Sequence, residues 1–257
     1  MPIAPRLVAE LNAHLPGAVR RADAPLAHGG REQRLATGFA TLDVALDGGL
    51  PRGHLSELVG PTSTGLTSLA QRLLGHVTAQ GQVAAWIDTP DAFDPASAVA
   101  AGVDLGRLLW VRPPDLATAF AATEALLTMG GFPLVLLDVR VPQRHAKSAG
   151  APRGGPYGGS RMAGAPHVWM RLARAAAGSR SVLVVLQRTA HRSATTDGGP
   201  VTAGSSAAVR LELQPLRVVW DRAGGAPSLL DGLVAQIVVL RNRGGRRNDG
   251  RVLLEFA

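Results

Sequence analysis

Two apolar runs, one of which contains a single acidic residue near its end, constrain the fold of this chain more than any other feature of its sequence. Leu134–Val139 reads LVLLDV and Val182–Leu186 reads VLVVL. Strands this apolar have to be covered on both faces, which is typical of parallel strands flanked by helices. Helix-like segments at Leu116–Met129 and Val168–Ala177 precede the two runs. The pattern therefore predicts an α/β fold with a mainly parallel central sheet.

Shorter segments continue this alternation along the chain. Further predicted strands and helices are Leu55–Val59, Thr67–Ala79, Val83–Asp88, Pro95–Ala101 and Leu108–Val111. After residue 207 the apolar runs become more closely spaced, and they predict an antiparallel C-terminal extension with strands at Val209–Leu213, Arg217–Asp221, Val234–Leu240 and Val252–Phe256. Residues 1–34 are predicted to form an N-terminal helix and linker, because apolar residues at helical spacing give way to proline and glycine. Residues 35–257 are predicted to form one core domain.

The composition limits the classes of function open to the chain. Its 257 residues include 27 Lys and Arg against 19 Asp and Glu, a net charge of +8, and Lys147 is the one lysine. It has no cysteine, which excludes disulfides, thiolate zinc sites and cysteine nucleophiles. No apolar run approaches the roughly 18 residues of a membrane span. We expect a cytoplasmic protein with an anionic partner and no membrane partner.

A glycine-rich turn between a predicted strand and a predicted helix has the shape of a phosphate-binding loop. Residues 60–69 read GPTSTGLTSL, to be compared with the pattern G-x-x-x-x-G-K-[ST]. Its glycines allow backbone N–H groups to converge on a phosphate, and the helix N-terminus favours an anion. The candidate nucleotide-binding residues are Gly60, Thr62, Ser63, Thr64, Gly65, Thr67, Ser68 and Asp138. The Thr67 hydroxyl and the Asp138 carboxylate are where Mg²⁺ would bind with a nucleotide, and no other metal site is predicted.

The lysine position of this pattern holds Leu66. A charge-assisted contact contributes about 1.5–3 kcal/mol, so its loss weakens phosphate binding by about 10–150-fold. Lys147 is distant in sequence, and Arg72 lies more than a helical turn downstream, a poor position for a replacement. Three interpretations remain open: a tight turn in which Thr67 caps the helix, weak residual binding of ATP and Mg²⁺, or full ATPase activity.

The order of short motifs resembles the core of RecA-like recombinases. The matching segments are LDVAL at 42–46, GGLPRG at 48–53, ELVGP at 57–61 and WID at 86–88, and LVLLDV resembles the Walker B strand. The resemblance places Gln187 at the position of the family's glutamine switch. It also places Arg241 and Arg243 where basic residues of recombinases reach a neighbouring subunit's nucleotide. It implies a RecA-like P-loop core over roughly residues 35–257.

Two departures from the family pattern affect hydrolysis. Leu66 replaces the lysine, and the position of the catalytic glutamate holds Pro90, which has no carboxylate to orient water. We therefore expect no motor activity, and the chain most resembles the ImuA type of SOS accessory protein. That resemblance implies a role in damage-induced mutagenesis and translesion synthesis, with RecA, ImuB and an error-prone polymerase as partners. The alternatives are a divergent DNA-dependent ATPase of homologous recombination, using Arg241 or Arg243 in trans, and a SulA-like cell-division inhibitor.

A long segment without acidic residues favours contact with nucleic acid. From Val139 to Thr196 the sequence has ten Arg or Lys residues and no Asp or Glu. The segment includes the predicted loop Pro142–Pro166 and the first part of the predicted loop Arg188–Ser206, where arginine can pair with phosphate oxygens. The candidate residues for binding single-stranded DNA are Arg140, Arg144, Lys147, Arg153, Tyr157, Arg161, Arg188 and Arg192. The alternative is a solvated basic surface with counterions, and self-association stays open.

Overall fold

The structure is a computed structural model that describes residues 33–139, 166–189, 203, 206–221, 229–243, 245 and 250–256. Nearly all of the predicted N-terminal helix and linker lies outside these residues, and so does most of both predicted loops.

Strands and helices alternate through most of the described chain. The strands are β1 (Arg34–Leu35), β2 (Leu50–Pro51), β3 (His54–Pro61), β4 (Ala84–Asp88), β5 (Leu108–Val111), β6 (Leu134–Val139), β7 (Val182–Thr189), β8 (Val209–Asp221), β9 (Leu229–Asn242) and β10 (Arg251–Phe256). The helices are α1 (Ala40–Ala45), α2 (Leu66–Ala79), α3 (Pro95–Ala100), α4 (Leu116–Met129) and α5 (Pro166–Ser179), with a 3₁₀ turn at Leu105–Arg107. No helix among the described residues is both long and apolar enough to cross a membrane.

The main sheet has eight strands in the order β10-β9-β8-β3-β7-β6-β4-β5. The pairs from β8 through β3, β7, β6 and β4 to β5 are parallel. The β8–β9 and β9–β10 pairs are antiparallel. The predicted α/β class, the parallel centre and the antiparallel C-terminal extension are all confirmed.

Both faces of the sheet are covered, as the apolar strands require. On one face, α2 packs its buried leucines against alternate residues of the central strands, such as Trp86 and Leu136. On the other face, α4 and α5 pack against the intervening residues, such as Ile87 and Leu137. Successive residues of a strand point to opposite faces, so each central strand contributes to both cores.

The extension differs from the sequence expectation in one respect. The predicted strands Val209–Leu213 and Arg217–Asp221 form the single strand β8, which pairs with β9 along its length. The ladder shifts register between Pro215 and Arg217, where a proline without an N–H interrupts regular pairing. The interruption that the sequence shows at Pro215 is therefore a bulge inside one strand.

Candidate nucleotide-binding site

The carboxyl ends of four neighbouring parallel strands bring the candidate polar residues together. Asp88 of β4 lies opposite Asp138 of β6. On β7, Arg188 lies opposite Gly60 of β3, and Gln187 is paired with residues of β3 and β6 on either side. Ligands of α/β folds bind at this edge of the sheet, and the register places the glycine turn and the acidic strand ends on either side of Arg188.

The glycine turn has a backbone conformation suited to an anion. Ser63 and Gly65 both have positive φ angles, of 61° and 87°. Gly65 is the N-cap of α2, and no side chain caps this helix. Thr67 therefore does not cap the helix, whereas the interpretation as a tight turn stays a prediction. The Thr64 hydroxyl donates a hydrogen bond to the Pro61 carbonyl at 2.8 Å and holds the turn closed.

Both glycines of the turn are required by close packing. A Cβ atom on Gly60 would lie 2.8 Å from the Leu213 carbonyl oxygen. A Cβ atom on Gly65 would lie 2.7 Å from the Phe256 ring. The aromatic ring at the end of β10 therefore packs directly on the turn, and it also contacts Phe39 edge-on at 5.7 Å between ring centroids.

A cavity of about 660 Å³ opens over the turn. One wall is the turn and the start of α2, including Thr62, Ser63, Thr67 and Ser68. The opposite wall is mostly apolar and comes from the antiparallel extension; it comprises Val218, Trp220, Gly232, Leu233 and Phe256. Sequence reasoning missed this second wall, because the β8–β9 hairpin is distant from the turn in sequence.

Arg188 crosses the polar end of this cavity. Its Nη1 donates to Asp138 Oδ1 at 2.5 Å, and its Nη2 donates to the Thr67 hydroxyl at 3.2 Å. The Asp138 side chain is 2% exposed and that of Arg188 is 26% exposed. Burial raises the pKa of Asp138, while the Arg188 hydrogen bond and charge lower it and Asp88 adds a smaller raising effect. The Arg188 side chain lies in the cavity, held by Asp138 and Thr67, and the DNA contact expected for it stays a prediction.

This arrangement does not fit a magnesium ion. The two groups expected to hold Mg²⁺ are the Thr67 hydroxyl and the Asp138 carboxylate, and one guanidinium already bridges them. A cation there would have to displace Arg188, and the two positive charges would repel each other. No group of three or more acidic or histidine side chains suited to a metal occurs elsewhere among the described residues.

Neither Leu66, at the lysine position, nor Arg72, more than one turn further along α2, replaces the missing charge. Leu66 is 4% exposed and belongs to the apolar core beside α2. The Arg72 guanidinium lies 5.8 Å from the centre of the Phe39 ring, and Arg72 is not among the residues that line the cavity. Arg188 is thus the cation that lines the described part of the cavity.

The position of the catalytic glutamate also lacks a free carboxylate. Pro90 follows β4, and its neighbour Asp91 forms a two-point ion pair with Arg112 at 2.6 and 2.7 Å. That hydrogen bond holds the pKa of Asp91 below its ordinary value. Asp88 accepts hydrogen bonds from the Ala92 and Phe93 amides and so closes the loop after β4. Both carboxylates serve the loop, so neither Asp88 nor Asp91 is free to orient water.

The predicted in-trans residues lie on the extension, away from the glycine turn. Arg241 of β9 lies opposite Arg210 of β8 in the sheet. Arg210 in turn lies opposite Glu57 of β3, three positions before Gly60. The Arg241 Nη1 donates to the Ala207 carbonyl at 3.4 Å. Arg243 is exposed, and its amide donates to the Ala208 carbonyl. Neither arginine lines the chain's own cavity, so their role toward a neighbouring subunit stays a prediction.

Most candidate DNA-binding residues lie outside the described residues. These are Arg140, Arg144, Lys147, Arg153, Tyr157, Arg161 and Arg192. The part of the acid-free segment that is described is partly neutralised in space, since Arg171 pairs with Glu124 and Arg188 with Asp138. Trp169 of α5 is 1% exposed and lies in the core.

The sequence of this chain is similar to those of RecA proteins. The RecA N-terminal domain family matches residues 28–146. The RecA protein of Crocosphaera subtropica is 30% identical over 224 residues, 82% of this chain and 61% of the relative. The RecA protein of Chlorobium limicola is 40% identical over 107 residues, 41% of this chain and 31% of the relative. The chain thus spans less than two thirds of the length of these curated relatives.

One solved structure has the same fold. The crystal structure of the RadB recombinase superposes with a TM-score of 0.59 at 22% identity, covering 86% of this chain and 94% of that one. At this level of identity the likeness concerns the fold.

Proposed function

The chain belongs to the RecA-like recombinase superfamily, and from this premise we propose that it is a non-motor accessory factor of damage-induced mutagenesis. In this role it binds single-stranded DNA and acts with RecA, ImuB and an error-prone polymerase in translesion synthesis. The proposal combines the RecA-like core with the loss of the parts that turn over ATP.

The single observation that supports the proposal best is the Arg188 bridge. P-loop enzymes need a cation at the β- and γ-phosphates and a metal between the loop hydroxyl and an acid. Here Leu66 offers no charge, and Arg188 ties Thr67 to Asp138. Hydrolysis also needs a group to orient water, and Pro90 cannot supply one. A core altered in this way is suited to binding partners in the manner of a recombinase subunit.

Phosphate release separates this proposal from a divergent ATPase. We expect no release above the rate without protein when ATP and Mg²⁺ are supplied, with or without single-stranded DNA. The Thr67→Ala variant is the matched control, since it removes the hydroxyl that an active site would need. Turnover in the wild type that Thr67→Ala abolishes would support the ATPase instead.

DNA binding is tested by a salt titration. Phosphate contacts should make affinity fall with salt, with a log–log slope of about −0.7 per phosphate neutralised. A variant with Arg144, Arg153, Arg161 and Arg192 changed to Gln should lose much of this slope. The charge-matched control changes four exposed arginines outside the two predicted loops, Arg107, Arg174, Arg217 and Arg251. Equal loss in both variants would show a diffuse charge effect rather than a loop contact.

Partner binding is tested by co-purification at micromolar protein. We expect retention of RecA or ImuB by the tagged chain, and retention of neither contradicts the accessory role. Retention of the division tubulin instead would support a SulA-like inhibitor.

A further inference from the structure

Two arginine side chains share a cavity at the end of the sheet opposite the glycine turn. The cavity measures about 720 Å³ and is lined by Arg52, Arg180, Ser179 and the turns at 81–83 and 131–133. These segments precede β3, β7, β4 and β6, so the cavity lies at the amino ends of the parallel strands. It is separate from the site described above.

The pairing of β3 with β7 forces the two arginines together. His54 lies opposite Val182, so Arg52 and Arg180 each lie two residues before the first paired position. The Gly53 amide donates to the Ser181 carbonyl at 2.9 Å, which fixes the two turns side by side. Arg180 also has a positive φ of 59°, a conformation that is strained for a residue with a Cβ. The backbone thus holds two like charges in one cavity.

Nothing among the described residues neutralises this pair. Neither guanidinium forms an ion pair or hydrogen bond with an acidic side chain. Arg107 lies beside the cavity, because its Nη1 donates to the Gly81 carbonyl at 2.6 Å. The nearby Asp104 carboxylate forms an ion pair with Arg107 itself. Partial burial, and then the charge of Arg180, lower the pKa of Arg52. Holding a partly desolvated cation beside another costs free energy unless an anion is present.

We propose that this cavity, the arginine cleft, binds a phosphate group. A phosphate monoester or inorganic phosphate carries close to two negative charges at neutral pH and matches both guanidinium groups, whereas a carboxylate carries one. The planar donors of arginine pair with phosphate oxygens two at a time. The phosphate comes either from a free small molecule or from the 5′ end of a nucleic acid strand.

Arginine side-chain NMR tests the proposal with inorganic phosphate as the probe. We expect saturable shifts of the Arg52 and Arg180 Nε–Hε signals and of the Gly53 and Ser181 amides. Arg52→Gln and Arg180→Gln should each weaken binding by about 10-fold or more. Arg174→Gln removes an exposed arginine of α5 outside the cleft and should leave binding unchanged.

Three results would overturn the proposal: no saturable shift, equal shifts with acetate at matched ionic strength, or binding that survives when Arg52→Gln and Arg180→Gln are combined. The source of the phosphate is distinguished with an oligonucleotide ending in a 5′-phosphate and the same one ending in a 5′-hydroxyl. Stronger binding of the former assigns the cleft to strand ends, and equal binding assigns it to free phosphate.

Thermal unfolding gives a readout that needs no assigned spectrum. In phosphate-free buffer, Arg180→Gln should raise Tm, because it removes the repulsion from Arg52. Added phosphate should raise the Tm of the wild type more than that of the variant, since it stabilises only the form that binds it. An equal rise in both contradicts the proposal.

Discussion

Arg188 and Asp138 form an ion pair whose members are unequally buried, and this imbalance sets the electrostatics of the cavity. The carboxylate is almost inaccessible, whereas about a quarter of the arginine side chain reaches solvent. Removing one member of such a pair leaves the other uncompensated, which costs more than the pair itself contributes.

The first prediction concerns Arg188→Met. At neutral pH we expect a loss of about 3 kcal/mol in the free energy of unfolding, because Asp138 is left buried and unpaired. The double variant Asp138→Asn with Arg188→Met should recover part of this loss, because it removes the stranded charge. Urea unfolding of the three proteins measures the difference.

The same variant gives a pH dependence whose sign follows from burial. The pKa of Asp138 is raised in the folded protein, so its contribution to stability is full below its ordinary pKa of 3.8 and is lost as pH rises through the folded value. Arg188→Met removes the group that lowers this pKa, so the loss extends to higher pH. The deficit relative to wild type should grow from about pH 4 upward. A deficit independent of pH would show that Asp138 is not the group responsible.

The second prediction concerns the glycines with positive φ. Gly65→Ala should cost about 2–4 kcal/mol, because it adds backbone strain to a clash with the Phe256 ring. Gly81→Ala is the control, since it has φ of +75° but no atom within 4 Å of the added Cβ, and it should cost about 1 kcal/mol. Equal losses in urea unfolding would mean that the contact with Phe256 does not constrain the turn.

Residues whose role is local could be predicted from the sequence, and those that act across strands could not. The turn around Gly60 and Gly65 could be recognised, because the spacing of its glycines is set by the backbone conformation of the turn. The bridge that Arg188 forms could not be predicted, because a sequence shows a charge without its partner. Its partners, Thr67 and Asp138, lie 121 and 50 positions away in the chain.

At the scale of elements, the packing of α5 on α4 rests on an aromatic pair. Phe120 and Trp169 meet edge-on with ring centroids 5.2 Å apart. The Trp169 indole N–H is buried without a hydrogen-bond partner, so part of what its burial contributes is offset.

The third prediction follows from that unpaired donor. Trp169→Phe should cost less than about 1.5 kcal/mol, because the lost volume is balanced by removal of the buried N–H. Trp169→Ala should cost about 3–5 kcal/mol, because it leaves a cavity between the helices. The ratio of the two losses in urea unfolding is the measurement. A Phe variant as unstable as the Ala variant would mean that the indole N–H has a partner.

The central elements could be predicted because their apolar runs are set by burial on both faces. Leu134–Val139, Leu108–Val111 and Leu116–Met129 have the predicted bounds. The extension was harder, because its strands are longer and partly exposed: Val218 and Trp220 continue β8 past the bulge at Pro215. A proline in a sequence pattern predicts the end of a strand. Here β8 continues past Pro215, because it pairs with β9 on both sides of the bulge.

For the whole molecule, the departures from the P-loop pattern lie at three strand ends. Leu66 follows β3, Pro90 follows β4, and Arg188 lies at the end of β7 and holds Asp138 of β6. Each change removes a different requirement: the phosphate cation, the group that orients water, and the metal position. A chain that had lost its lysine alone would keep the other two.

The fourth prediction follows from this distribution. Leu66→Lys alone should not give ATP turnover, because Arg188 still bridges Thr67 and Asp138 and none of the residues described along the cavity offers a free carboxylate to orient water. The same holds for Leu66→Lys combined with Pro90→Glu, as long as Arg188 remains. Adding Arg188→Gln to that pair frees both groups for Mg²⁺ and is the variant in which Mg²⁺-dependent phosphate release should first be measurable. Leu66 is buried, so circular dichroism has to confirm that each variant folds. Turnover by Leu66→Lys alone would mean that the Arg188 bridge opens readily, and that one substitution separates this chain from an ATPase.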